Sequence, residues 1–441
     1  MRKGNRILWA AALVLLAALA TAVLAACGGG GGGGGEAVGT GQGPVPEPTS
    51  PVTVNFASWV GEDLKPYAKK FHELHPNITI KFQNVPAEEL TQKVLTQIAG
   101  GNPPDAAYMD SSAVPDFASR GALVGLKNYI ARSDIVDPND YVPAFKQNGI
   151  YQGQLYGLPF DGETTGLFYR TDLFQEAGIS APPKTWDEFL ADVQKLTIPA
   201  KKQYGYIVFA PESAYYWYPW LYQAGGDTLT PDGKHVAFNS PEGKQAAEFY
   251  VNLAKYSPKD YLNSNSYDGR VAFQTGKVAM YMAGAWFAGT LRDEFPEING
   301  KWAAAPLPIG PSGKCATTIA GDTLVVFSGG ENHDAAWKWI EYLSDRKVMK
   351  QWNLGSPAST LLPTRTSLLN DPTIFQQKPL LKAFADLMPC GVVSKVIQPA
   401  YPEVEQVLNE QLGKAFYGDI TADEALDKAA QEGEDILAKR G

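Results

Sequence analysis

Histidine and cysteine are scarce in this chain, and their scarcity narrows the chemistry open to it. Only four histidines occur in 441 residues. His72 and His75 share a helix face at i, i+3, but no third ligand stands near them, so no metal site is expected. The short signatures of several enzyme classes are also missing: Gly-x-Ser-x-Gly, the Walker loop, His-Glu-x-x-His, and Gly-x-Gly-x-x-Gly opening a helix. No cofactor is implied. Positive charge is in deficit, with 38 Lys and Arg against 47 Asp and Glu for a net charge of -9. That balance disfavours nucleic acid, which selects basic surfaces. After Cys27 no further apolar run reaches membrane length.

The amino terminus is more distinctive. Arg2, Lys3 and Arg6 precede an uncharged run from Ile7 to Ala26, followed by Cys27 and glycines from 28 to 35. Basic start, apolar stretch and small residues are the three regions of a secretory signal. An uncleaved span is the alternative, although the run is rich in alanine and only weakly apolar. Leu24-Ala25-Ala26-Cys27 resembles the bacterial lipobox. That resemblance implies removal of residues 1–26, lipid attachment to the Cys27 thiol, and a protein tethered to the outer face of the membrane, at the cell surface or in the periplasm. From Gly28 to Ser50 glycine, proline and threonine leave almost no apolar side chain to bury, so 27–50 reads as a flexible tether. Cys315 and Cys390 remain as an even pair, a possible disulfide in an exported chain, with their proximity left open.

The rest is ordinary for a folded protein, at 44% hydrophobic and 19% charged residues over the whole chain, and long enough for two or three domains. Alternating and helical spacing predict a strand at Val52–Ser58, a helix over 61–75, a strand at 78–82, a helix at Ala87–Ala99 and a strand at 106–109. Such βαβαβ order calls for a parallel sheet covered by helices, and the fold class is α/β. A second α/β pattern follows. It has strands at 165–169, 204–209, 277–282, 301–305 and 323–327, and helices at Thr185 (a capping box), after Ser240-Pro241, at His333–Leu343, and to the end, where Thr421–Glu424 forms another capping box.

Tryptophan and tyrosine suggest binding. Tyr215 to Tyr222 is an almost continuous aromatic run on one predicted helix, more than one core can absorb, and Tyr216 and Trp217 are candidates to face a cleft. Indole and phenol rings suit the C–H faces of sugars, whose hydroxyls seek carboxylates, amides and guanidinium groups. Trp286 follows Gly284-Ala285 at a strand end, where α/β proteins present ligand-contacting groups; core packing is the other role open to it. Asp110 ends the strand at 106–109 and either meets a ligand or caps the next helix. Glu163 falls in a polar segment between strands that joins the two units. Arg365 suits either a ligand, through its fork of donors, or the surface.

The order of several short motifs resembles the family 1 extracellular solute-binding proteins of ABC importers. The motifs are Phe71-His72-Glu73-Leu74-His75-Pro76-Asn77-Ile78, Pro104-Asp105-Ala106-Ala107-Tyr108-Met109-Asp110, Gly157-Leu158-Pro159 with Leu167-Phe168-Tyr169-Arg170-Thr171-Asp172-Leu173-Phe174, Gly284-Ala285-Trp286, and Leu362-Pro363-Thr364-Arg365. The resemblance implies a two-lobed periplasmic-binding-protein-like fold with about three hinge crossings and an interlobe cleft. It divides the chain into 51–161 with 303–355, and 162–302 with 356–441. It also implies a sugar ligand, permease subunits as partners, a monomer and no catalysis. Trp59, Asp110, Glu163, Trp286 and Arg365 match places that contact sugar in the family. Asp322 stands where many members carry a tryptophan, an acceptor in place of a stacking ring. Two other classes remain: a surface glycosidase using paired carboxylates, and a receptor for a polyamine, peptide or anion.

Overall fold

The computed structural model describes residues 39–259, 269–355, 360–393 and 398–440. Cys27 and its lipidation lie outside them, as does the whole signal segment. The described part of the expected tether is not loose. Arg132 donates to the carbonyls of Gly39, Thr40, Gly43 and Pro44, Val45 is buried, and Glu47 pairs with Lys338 at 2.7 Å. In this part of the segment one guanidinium gathers four backbone carbonyls and holds the chain against the folded body.

Eleven strands are described: β1 (Val52–Ser58), β2 (Ile78–Asn84), β3 (Ala106–Asp110), β4 (Ile150–Tyr151), β5 (Gln154–Leu155), β6 (Gly157–Arg170), β7 (Met280–Gly284), β8 (Trp302–Ala305), β9 (Thr317–Val326), β10 (Leu362–Pro363) and β11 (Gly391–Val393). β1 pairs in parallel with β2 and β3, as the βαβαβ pattern requires. β9 then runs antiparallel between β3 and β6. Helices Gly61–Leu74 and Ala87–Ala99 connect these first strands, and Leu64, Phe71, Leu90 and Val94 are buried.

β6 is the long element of the fold. Its first half, Gly157–Thr164, pairs with β9, while Thr165–Arg170 pairs with β7 and β8. One strand thus runs through both halves of the molecule. Glu163 lies within this strand, which corrects the expectation of a polar segment between strands. The return is made by β9 near Ala320: β8 still pairs with the far half of β6, so the chain re-enters the first half later than residue 303. A third passage brings β10 against Asp161 and Gly162, and β11 against Thr317–Ile319. Cys315 and Cys390 form a disulfide with Cα atoms 5.3 Å apart, tying the second passage to the third.

The expected strand at 204–209 is absent. Tyr204 and Gly205 still accept from Ala279 and Met280, but the Val208 N–H turns to the Ser257 hydroxyl at 3.0 Å, and the ladder ends. Beyond it, helices Ser213–Ala224, Pro241–Leu253, Tyr401–Tyr417 and Ala422–Arg440 pack around one aromatic core. Both capping residues donate order as expected: Thr185 Oγ1 accepts from the Glu188 N–H at 3.2 Å, and Thr421 and Glu424 bond reciprocally.

Candidate functional site

Parallel strands present their carboxyl ends to ligands, and here two such ends lie at one cavity. Trp59 directly follows β1, and Asp110 ends β3. Across from them, the helix Trp286–Asp293 starts where β7 stops. Between these walls, β6 and β9 form the floor with Asp161, Glu163 and Asp322. Together they enclose a cavity of about 610 Å³. Trp59 and Trp286 are both half-buried and line this cavity, one following β1 and the other following β7. Trp59 packs edge-on to Tyr108, ring centroids 4.8 Å apart.

Strand register sets the electrostatics. Asp110 on β3 is the direct partner of Asp322 on β9, and Asp161 on β6 is the partner of the same Asp322 from the other side. Three carboxyl groups therefore stand on adjacent strands at one level, an arrangement that is unfavourable when all are ionised. Tyr108 lies among them, its hydroxyl 2.5 Å from Asp322 Oδ2 and 3.2 Å from Asp161 Oδ2. One hydroxyl proton cannot fully serve two carboxylates. Asp161 also accepts from the Trp352 indole N–H.

Burial moves these groups. It pushes Asp161 up to about 7 despite the bonds from Trp352 and Tyr108. Glu163 rises to about 8 through burial and then through the nearby charge of Asp110, with the Tyr215 hydroxyl opposing. Asp322 rises well above the carboxylate range for the same two reasons, burial first and Asp110 second. Glu163 Oε2 is buried and meets no hydrogen-bond partner. Gly284 is what makes room for it: a Cβ there would stand 1.7 Å from that oxygen.

Asp110 takes both of the roles open to it. It caps the short turn after β3 by accepting from the Ser112 N–H at 2.7 Å, and it remains exposed to the cavity. Trp59, Asp110, Glu163, Trp286 and Asp322 are thus brought together. Three candidates are not. Trp217 is fully buried in the second core, on the side of its helix that the other helices cover. Tyr216, one residue earlier, is half-buried and places its hydroxyl 3.3 Å from that of Tyr281, away from the residues that line the cavity. Arg365 is buried, paired with Asp140 at 3.2 Å and donating to the carbonyls of Ile135 and Ser344; it ties loops together behind the site.

Sequence reading passed over Tyr108, Asp161 and Trp352. Asp161 had one visible signal, an acid following the apolar Leu158-Pro159-Phe160 in what proves to be a buried strand. Tyr108 and Trp352 had none, since their roles depend on partners 53 and 191 residues away. A larger groove of about 810 Å³ lies between the helices Gly61–Leu74 and Arg346–Gly355. It takes residues from one lobe only and bears lysines and Arg346, so it lacks the paired walls of the cleft.

A cavity walled by two α/β lobes, with strands running from one into the other, defines a two-lobed ligand-binding protein. The chain belongs to the bacterial extracellular solute-binding protein family, whose model matches residues 57–350. It is 27% identical to the maltotriose-binding protein of Pyrococcus abyssi over 83% of this chain and 77% of that one. An ABC transporter solute-binding protein of Thermotoga lettingae, bound to alpha-D-tagatose, superposes with a TM-score of 0.79 at 28% identity, covering 88% and 100% of the two chains. The sugar-binding protein MalE of Xanthomonas citri gives 0.74 at 29% identity, covering 88% and 98%. These relatives are binding proteins. Among the described residues no helix is long and apolar enough to cross a membrane.

Proposed function

We propose that this chain captures a saccharide between its lobes and delivers it to the permease of an ABC importer, without chemical change to the sugar. The carrying observation is the cavity lined by two indoles, with carboxyl groups on its floor. In this reading Trp59 and Trp286 lie against the C–H faces of the sugar, and Asp110, Glu163 and Asp322 accept from its hydroxyls. The hinge, in this reading, lies where β6 changes partners, at Thr164–Thr165, and in β9 near Ala320, a location suggested by the change of pairing. Ligand contacts from both walls exist together only when the lobes are closed, so the ligand favours that state. Cys27 carries the lipid anchor, residues 28–38 are the tether, and the protein acts as a monomer. Support comes from the family membership and from the sugars bound by its relatives. The test is a thermal-shift and calorimetric screen of mono- and oligosaccharides, with product analysis. A sugar that raises the melting temperature and is recovered intact supports the reading; turnover of an oligosaccharide overturns it in favour of a glycosidase.

A further inference from the structure

We propose that the saccharide taken by this cleft is cationic: an amino sugar whose ammonium group sits against Asp110, Glu163 and Asp322. This rests on the saccharide-binding reading above and names the class within it. The observation behind it is an imbalance built into the sheet. Asp110, Asp322 and Asp161 are consecutive cross-strand partners, with Glu163 two residues along β6 and therefore on the same face as Asp161. Asp161 has the Trp352 indole as a donor, and shares the Tyr108 hydroxyl with Asp322. The buried Oε2 of Glu163 has nothing. Asp293 and Glu294 add further acid on the second wall, whereas Arg270 is the one basic side chain lining the cavity among the described residues. Lys378 acts on Asp161 from outside the cavity, and its own pKa is lowered to about 8, chiefly by burial and then by Arg292.

A neutral sugar hydroxyl satisfies one acceptor and leaves the acids holding the protons that burial and their closeness to one another impose. An ammonium brings three donors and a full positive charge. In a site withdrawn from water, each of its bonds to a carboxylate is about twice as strong as a neutral one, and its charge favours the ionised form of the acids around it, whose protons leave as it binds. The two indoles add to this, since their faces attract a nearby cation as well as the C–H surface of a ring. They also argue for a ring-bearing ligand over a linear polyamine, whose methylene chain offers no flat face to an indole.

The test uses matched ligands that differ only by ammonium for hydroxyl: glucosamine against glucose, and fully deacetylated chitobiose against cellobiose. Each is titrated calorimetrically into the full chain at pH 6.5, with putrescine and spermidine as linear controls. The expected result is that an amino sugar binds at least tenfold more tightly than its neutral twin. Most of that advantage should vanish in Asp322→Asn and Glu163→Gln, and should largely survive 0.5 M salt, because pairs withdrawn from water are little screened. The comparison of matched ligands needs no variant and holds even if a substitution disturbs folding. A neutral twin that binds equally or better overturns the cationic class and leaves saccharide capture standing. Tight binding of a linear polyamine with no sugar bound overturns both. Absence of heat with every amine overturns the cationic class, and saccharide capture is then decided by the neutral panel.

Discussion

The indole N–H of Trp352 lies 2.9 Å and 3.0 Å from the two carboxyl oxygens of Asp161. Both residues are almost fully buried. The bond pins the helix Arg346–Gly355 to β6 three residues before that strand changes partners. Removing the donor leaves a buried acid with only a shared hydroxyl, and leaving such a group short of partners costs about 1–3 kcal/mol. Trp352→Phe is therefore expected to lower unfolding stability by roughly that amount in chemical denaturation. In Trp352→Phe/Asp161→Asn the loss should shrink, because the neutral amide brings its own donors. An additive double mutant would show that the pair is not coupled.

Trp286 and Trp217, both candidates to meet a ligand, have different places in the fold. Trp286 stands half-buried on the cavity wall, whereas Trp217 is enclosed in the second core. Trp286→Ala is expected to weaken saccharide binding at least tenfold with little change in melting temperature. Trp217→Ala should instead cost about 3–5 kcal/mol of stability, as large-to-small core changes do. Calorimetry and thermal melts on both variants check the contrast, and a Trp286 variant that fails to fold would move that residue into the core.

Stability of the unliganded protein should fall as pH rises through the cleft's titrations. Asp161 and Glu163 have folded-state values near 7 and 8, above those of the unfolded chain. Between about pH 4.5 and 8 the folded state therefore holds more protons than the unfolded one, and unfolding free energy decreases with pH over that window. Each unit of difference corresponds to about 1.4 kcal/mol, so the rise of buried Asp161 from 3.8 to about 7 corresponds to roughly 4 kcal/mol across the window. Melting curves from pH 5 to 8 read the slope. It should flatten in Asp161→Asn, and an unchanged slope would place the titrating protons elsewhere.

Local elements were legible wherever their causes were local. The helices Ala87–Ala99 and His333–Leu343 form where apolar spacing and flanking residues put them, because helical hydrogen bonds close within four residues. β6 was half legible. Thr165–Tyr169 read as a strand, but its extension back through Asp161 and Glu163 depends on β9, over 150 residues later. Trp59, Asp110, Glu163, Trp286 and Asp322, expected at a ligand site, are brought together at the cavity. Tyr216, Trp217 and Arg365 are not, since nothing in a sequence says which side of an aromatic helix another helix will cover.

The βαβαβ order was enough to determine an α/β fold, because short-range periodicity carries that much, and binding was suggested by the aromatic residues and by the resemblance of several short motifs to a solute-binding family. Tertiary structure alone decided that three acids fall in register on neighbouring strands. Register is a relation between distant segments, and one residue of slip would have turned those carboxyl groups to the other face of the sheet.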